Sequence, residues 1–203
     1  MKVITLNAID FFEKLDELSG KIDIIPDIVV EVLSAGGYLG KAIKVDEKFN
    51  KAQYKQIKIQ RRREYIKQSI VFRTLLKILP YIILDRLRLY ESKKAKNSIR
   101  ALNLDELQKD NISFDHLGFS HQKSVKNVLI IDDAIDTGRT MFIIKNSLQK
   151  QFPKANIKTA IISWTLENSI IKPDFYIYKN VLVRFPWSKD YKGKDFEKKS
   201  FSS

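Results

Sequence analysis

The fold of this chain is decided by the stretch Val128-Leu129-Ile130-Ile131-Asp132-Asp133-Ala134-Ile135-Asp136-Thr137-Gly138-Arg139-Thr140. Four apolar residues lead directly into two carboxylates, and a short polar loop then opens a segment with the apolar spacing of a helix. This order predicts a buried parallel strand, a ligand loop and a helix of an open α/β sheet. Ligands bind in such sheets outside the carboxyl ends of strands, and helix N-termini hold phosphates. Carboxylates beside a hydroxyl-rich loop therefore suit a ligand with both hydroxyls and a phosphate, such as a ribose phosphate.

The same sequence pattern has three other interpretations besides a ribose phosphate site. A response-regulator domain also has paired Asp residues after an apolar strand, but it needs a longer chain than the one that follows Asp132. A Walker A loop requires the pattern G-x-x-x-x-G-K-[ST], which the sequence lacks. A strand, turn and helix that bind no ligand stay open as the third alternative.

A second strand and loop precede the first. The β-branched run from Ile28 to Leu33 is typical of a central parallel strand, and it ends at Ser34-Ala35-Gly36-Gly37, before a helix-like segment that begins near Tyr38. Glycines at a strand tip let the backbone approach a ligand closely. These four residues alone are equally compatible with a plain turn, but the downstream carboxylate motif favours a ligand loop.

Together the two stretches resemble the signatures of type I phosphoribosyltransferases, and most closely those of the 6-oxopurine enzymes. The resemblance implies an α/β fold, with a parallel sheet flanked by helices and a smaller hood or lid. It also implies that Asp132 and Asp133 contact the ribose hydroxyls of phosphoribosyl pyrophosphate, with Mg²⁺ bound nearby. The residues that cradle the 5′-phosphate would be Asp136, Thr137, Gly138, Arg139 and Thr140. By the same resemblance, Asp136 is the catalytic acid or base, and the pyrophosphate loop comprises Ser34, Ala35, Gly36 and Gly37.

The half of the site that recognises the base departs from the family pattern. Phe185-Pro186-Trp187 resembles the hood signature, but Ser163 and Trp164 stand where a lysine that reads the 6-oxo group is expected. An aromatic residue that stacks on the base is expected near Leu182. By the resemblance, the base pocket comprises Ile135, Trp164, Leu182 and Trp187 and a purine is favoured, but the departures leave open which base is accepted.

The implied reaction is a Mg²⁺-dependent transfer of the 5-phosphoribosyl group from phosphoribosyl pyrophosphate to a nucleobase, with release of pyrophosphate, as in nucleotide salvage. We expect a homodimer or a larger assembly. The alternative is a non-catalytic regulator that senses the same ligand and binds nucleic acid through a basic segment. The three intact carboxylates favour the enzyme, whereas the altered base pocket favours the regulator.

The charge of the chain is concentrated in one segment. The 203 residues predict one domain and carry a formal net charge of +13. Residues 41–100 contain 18 Lys and Arg against 5 Asp and Glu, which accounts for the whole excess. Within them, residues 61–100 form a predicted basic helical insertion, with helices at about 64–79 and 81–94 on either side of Pro80 and a linker at 93–100. Its apolar side chains, Ile83 among them, are expected to pack on the core, a lid or a second subunit, with the cations facing outward.

Composition excludes several other classes of site. No apolar run is long enough for a membrane span. Cysteine is absent, which excludes disulfides and thiolate metal sites and fits a cytoplasmic protein. His116 and His121 lie in a polar stretch between residues 103 and 124 that predicts a solvated loop rather than a metal site. The basic segment favours an anionic partner, although nucleic acid is not preferred over the pyrophosphate substrate.

Overall fold

The computed structural model describes residues 1–33, 36–58, 76–110, 112, 114 and 125–196. Several residues singled out by the sequence, namely Ser34, Ala35, His116, His121 and the first part of the basic insertion (61–75), lie outside the described residues. Among the helices of the described ranges, none is both long and apolar enough to cross a membrane.

Seven strands form two parallel sheets within the described ranges: β1 (Lys2–Thr5), β2 (Ile28–Leu33), β3 (Gln53–Lys58), β4 (Asn127–Ile135), β5 (Asn156–Trp164), β6 (Phe175–Lys179) and β7 (Val181–Arg184). The larger sheet has the order β3-β2-β4-β5-β6, and every neighbouring pair is parallel. The predicted parallel sheet is confirmed. β4 is central because its continuous apolar run fills both faces of the sheet.

Within the described residues, six helices have both ends defined: α1 (Ala8–Lys21), α2 (Gly36–Ile43), α3 (Glu47–Asn50), α4 (Tyr81–Ile99), α5 (Leu104–Lys109) and α6 (Arg139–Gln151). Helices α1, α2 and α6 bury their apolar faces on opposite sides of the sheet. On one side α6 packs Ile144 and Leu148 against the strands. On the other side Phe11 and Leu15 of α1 and Leu39 of α2 complete a second core. The structure thus has the predicted layers of helices flanking a sheet.

The smaller sheet pairs the N-terminal strand β1 with the last strand, β7, in the register Val3↔Leu182. Asn180 makes the tight turn from β6 into β7 with a φ of 58°. α4 packs against β1. We call β1, β7 and α4 the hood, since they stand where the resemblance predicts that smaller part. The sequence analysis did not predict β1.

α4 corrects two predictions for the basic insertion. The helix continues to Ile99, so the predicted linker at 93–100 is wrong. The helix can continue through this segment because it contains neither Gly nor Pro. Ile83 is 44% exposed within this chain, so the expectation that the apolar side chains of the insertion pack on the core, a lid or a second subunit stays a prediction. Asp85 and Arg88 of the helix hydrogen-bond to Arg184 and Asp190, and Leu84 is buried. The other apolar side chains of the helix therefore face outward. Arg88 is therefore an exception to the predicted outward-facing cations.

α5 corrects part of a further prediction, that residues 103–124 form a loop, and residues 115–124 of that range lie outside the described residues. Asn103 caps a short helix there, and its side-chain oxygen accepts hydrogen bonds from the backbone N–H groups of Asp105 and Glu106. Two acidic residues in the first turn add a favourable interaction with the helix dipole. The sequence Asn103-Leu-Asp-Glu is typical of a capped helix N-terminus and could have predicted this helix.

A buried ionic cluster joins α4 to the hood strand β7. Arg184 is 1% exposed and donates to Asp190, Asp85 and Thr5 at 2.9, 2.6 and 2.8 Å. Arg88 donates two further hydrogen bonds to Asp190, at 2.8 and 2.6 Å. Burial opposes ionisation of Asp190, but the hydrogen bonds and charges of the two guanidinium groups outweigh it and lower its pKa to about 2. Asp190 is therefore the shared anion of the cluster.

We predict that Asp190→Asn lowers the free energy of unfolding at neutral pH by about 3–5 kcal/mol, because two guanidinium groups lose the charge that compensates them in a buried site. Urea denaturation followed by circular dichroism measures the change. Because the pKa of Asp190 is lowered by folding, the wild-type stabilisation is present above its ordinary pKa of 3.8 and is lost as the pH falls through about 2.

A surface carboxylate provides the control for this variant. Glu17 lies 2.9 and 3.0 Å from the amino groups of Lys14 and Lys21 in an exposed site. Glu17→Gln should cost less than about 1 kcal/mol, as surface ion pairs do. Equal losses in the two variants would show that the Asp190 cluster contributes no more than a surface pair.

Candidate functional site

The two predicted loops meet at one edge of the sheet. β2 and β4 are parallel neighbours in the register Glu31↔Ile131, so their carboxyl ends lie side by side. α2 begins at Gly36 directly against β4, since a Cβ atom at Gly36 would lie 2.7 Å from the carbonyl oxygen of Ile131. Only glycine permits this approach. The described part of the predicted pyrophosphate loop is thus adjacent to the carboxylate motif.

The paired carboxylates stand on the last part of β4, which runs on to Ile135 and therefore ends later than predicted. Asp132 is buried, whereas Asp133 is partly exposed. The backbone N–H of Asp133 donates to Oδ1 of Asp132 at 2.9 Å. The indole Nε1–H of Trp187 donates to Oδ2 of Asp133 at 3.1 Å. The carboxylate pair is therefore held in place by hydrogen bonds before any ligand binds.

The loop after β4 leads into the N-terminus of α6. Gly138 has a φ of 84°, and a Cβ atom there would lie 2.8 Å from Cγ2 of Ile171. The carbonyl oxygen of Thr137 accepts a hydrogen bond from the backbone N–H of Ile170 at 3.0 Å, which ties the loop to the following segment. Asp136 is exposed at the start of the loop, and Arg139 begins the helix. The first amides of α6 are suited to hold a phosphate.

Two solved structures share this architecture over nearly the whole chain. A xanthine-guanine-hypoxanthine phosphoribosyltransferase from Helicobacter pylori superposes with a TM-score of 0.53 at 13% identity, covering 92% of this chain and 92% of its own. A purine phosphoribosyltransferase from Pyrococcus horikoshii gives a TM-score of 0.54 at 18% identity, covering 93% of this chain and 95% of its own. The chain has a type I phosphoribosyltransferase-like fold. No protein-family model and no curated protein sequence matches it.

In this phosphoribosyltransferase-like fold, the four residues of the predicted base pocket occupy different surroundings. Ile135, Trp164 and Leu182 are at least nine-tenths buried. Trp164 is 4% exposed, its Nε1–H donates to Oγ of Ser169 at 2.8 Å, and its ring contacts Tyr176 edge to face. Trp187 is partly exposed. Their joint role in base binding stays a prediction, and only Trp187 lies against the carboxylate pair.

Ser163 explains structurally why no base-reading lysine stands at the end of β5. Its hydroxyl is fully buried and donates to the carbonyl oxygen of Val181 at 2.6 Å, joining β5 to the first residue of β7. This position therefore serves the connection between the main sheet and the hood. A lysine there would place an ammonium group in a buried environment, which is unfavourable without a partner.

A buried carboxyl next to the predicted pyrophosphate loop was not identified from the sequence. Glu31 is 3% exposed in the middle of β2 and accepts a hydrogen bond from Nε2 of Gln56 at 2.7 Å. Its side chain lies under α2, where it fills the space that a Cβ atom at Gly40 would need. Burial raises the pKa of Glu31, and the Gln56 hydrogen bond and the charges of Lys41 and Lys44 oppose that rise. In the sequence, Glu31 could have been identified as the single charged residue within the apolar run that forms β2.

The chemistry of the donors fits magnesium, although the protein supplies only part of a coordination sphere. Within the described ranges, no group of three or more acidic, histidine or cysteine side chains is arranged to hold a metal ion. Mg²⁺ characteristically binds one or two carboxylates and completes its octahedron with substrate phosphates and water. Asp132 and Asp133 match that requirement, so the ion would enter with the substrate.

We predict that Gly36→Ala destabilises the protein by about 1–3 kcal/mol, the usual cost of overpacking, because the new methyl group meets the Ile131 carbonyl and forces α2 away from β4. Urea denaturation measures the loss. Gly20→Ala is the matched control, since a Cβ atom at Gly20 meets nothing within 4 Å and alanine favours the last turn of α1. The prediction fails if the two variants are equally stable.

Proposed function

We propose that this protein is a Mg²⁺-dependent phosphoribosyltransferase that transfers the 5-phosphoribosyl group from phosphoribosyl pyrophosphate to a ring nitrogen of a nucleobase, with a purine favoured, and releases pyrophosphate. One observation carries the proposal: the carboxylate pair Asp132 and Asp133 lies beside Gly36 and the polar loop before α6, at the edge where parallel α/β sheets bind ligands. The fold shared with two purine phosphoribosyltransferases supports it.

Each part of the substrate has a matching element. The ribose hydroxyls would donate to Asp132 and Asp133, which would also hold the metal. The 5′-phosphate would bind the amides at the start of α6, with the hydroxyl groups of Thr137 and Thr140 beside them. The backbone at Gly36 and Gly37 would contact the pyrophosphate, and Ser34 and Ala35 complete that predicted loop. Magnesium would neutralise the charge of the leaving group.

Catalysis in this proposal consists mainly of positioning and charge stabilisation. The bond between C1′ and the pyrophosphate oxygen breaks and takes its electron pair to pyrophosphate, while the base nitrogen forms a new bond to C1′. The carboxylates near the ribose stabilise the positive charge that develops on the ring. Asp136, exposed at the loop, would accept the proton that the base nitrogen releases.

Ligand binding tests the carboxylate assignment. Mg²⁺ and phosphoribosyl pyrophosphate together should raise the melting temperature of the wild-type protein, because a ligand that binds the folded state stabilises it. In the double variant Asp132→Asn with Asp133→Asn the shift should largely disappear, since the ribose loses its charged acceptors. The control is Asp16→Asn with Asp23→Asn, which changes two exposed carboxylates elsewhere. A double variant at 132 and 133 with the wild-type shift would refute the assignment.

Turnover tests the role of Asp136. Asp136→Asn keeps the size of the side chain but cannot accept a proton, so kcat should fall about 10²–10⁴-fold while the ligand-induced melting shift is kept. Pyrophosphate release, measured over a panel of purine and pyrimidine bases, provides the rate. Full turnover by the variant would exclude Asp136 as the base.

A regulator is the second candidate, and one observation favours it. The exposed side of α4 carries the cations Arg86, Lys93, Lys94 and Lys96, which suit a nucleic acid backbone. We keep this candidate second, because basic surfaces are solvated more often than bound and the three carboxylates of the enzyme are present. Binding of phosphoribosyl pyrophosphate without turnover of any base would favour the regulator.

A further inference from the structure

Trp187 contacts both ligand-binding parts of the site at once. Its indole Nε1–H donates to Oδ2 of Asp133 on β4. Its ring stacks on Tyr38 in the first turn of α2, with centroids 4.7 Å apart and an interplanar angle of 29°. Tyr38 follows Gly36 and Gly37 directly, so one side chain spans from the proposed pyrophosphate loop to the proposed ribose carboxylate.

The surroundings of Trp187 fix the direction of its N–H group. Phe185 stacks on the ring with centroids 4.9 Å apart and an interplanar angle of 6°. Phe11 of α1 contacts the same ring edge to face at 4.9 Å. With aromatic contacts from three elements, the indole is held in one orientation. The hydrogen bond to Asp133 is thus preorganised and needs no side-chain ordering when a ligand arrives.

We propose that Trp187 is a positioning residue that holds Asp133 in the orientation needed to bind the ribose and the metal. The inference rests on the proposed function. It assigns Trp187 a role different from contact with the base, because the polar edge of the indole is directed to the carboxylate. The restraint extends to Asp132, whose Oδ1 accepts the backbone N–H of Asp133 at 2.9 Å. A charged acceptor makes such a hydrogen bond stronger than one between neutral groups.

Substitution by phenylalanine separates this role from simple packing. Trp187→Phe keeps an aromatic ring between Tyr38 and Phe185 but removes the N–H donor. The affinity for phosphoribosyl pyrophosphate with Mg²⁺ should fall about 10- to 100-fold, the factor that corresponds to losing a hydrogen bond to a charged group. Because the residue acts through substrate binding, KM should rise more than kcat falls. Calorimetric titration without a base measures the affinity, and circular dichroism confirms that the variant is folded.

A double-mutant cycle tests whether Trp187 acts through Asp133. In an Asp133→Asn background, Trp187→Phe should cause little further loss of affinity, because the partner is already changed. Additive losses would overturn the inference, and so would wild-type affinity in the single variant Trp187→Phe. If the wild-type protein itself fails to bind phosphoribosyl pyrophosphate, the proposed function fails and the inference with it, an outcome distinct from the other two.

A readout without ligand examines the hydrogen bond itself. The chain has two tryptophans, and Trp164 donates its indole N–H to Ser169, away from the carboxylates. Trp164→Phe therefore assigns the two indole N–H signals in a ¹⁵N nuclear magnetic resonance spectrum. Asp133→Asn should move the Trp187 signal and leave the Trp164 signal in place. An unmoved Trp187 signal would overturn the proposed contact.

Discussion

The parallel pairing of β2 with β4 is the constraint on which the candidate site depends. Parallel neighbours end at the same edge of a sheet, so a loop after β2 and carboxylates on the last part of β4 become adjacent although they are distant in sequence. At this edge the start of α2 approaches β4 so closely that a Cβ atom at Gly36 would lie 2.7 Å from the Ile131 carbonyl oxygen, which leaves no room for a side chain. A slip of one residue in this pairing would turn Asp132 to the other face of the sheet, so the placement of the carboxylates depends on the register.

The hood depends on a second constraint, the buried cluster around Arg184 and Asp190. Arg184 ends β7, and the chain continues at once into Phe185, Pro186 and Trp187. Hydrogen bonds from Arg88 and Arg184 to Asp190 fix both ends of this short segment. A charge cluster outside the candidate site therefore anchors the chain on both sides of Trp187. A buried ionic cluster is a weak source of stability but it specifies one geometry, which is the use we infer for it here.

The sequence predicts the parts of the structure that local patterns determine. A continuous apolar run followed by carboxylates and a Gly-containing loop identifies β4 and the start of α6, because burial and backbone conformation are set by neighbouring residues. The exposed face of α4 was not predictable in this way, since its orientation is set by Asp85 and Arg88 reaching partners far along the chain. The contact between Trp187 and Asp133 joins elements that only the folded chain brings together.

The two halves of the candidate site rest on different physical features. Strand-tip geometry and hydrogen-bonded carboxylates form the half proposed for phosphoribosyl pyrophosphate. The situation differs where β5 ends and β7 begins. There the Ser163 hydroxyl donates a hydrogen bond to the Val181 carbonyl, and the side chains of Trp164 and Leu182 are buried. None of these three side chains offers a charged group to a 6-oxo oxygen. In the proposed enzyme these three positions could therefore discriminate among bases only by shape, and shape alone separates similar bases by modest factors.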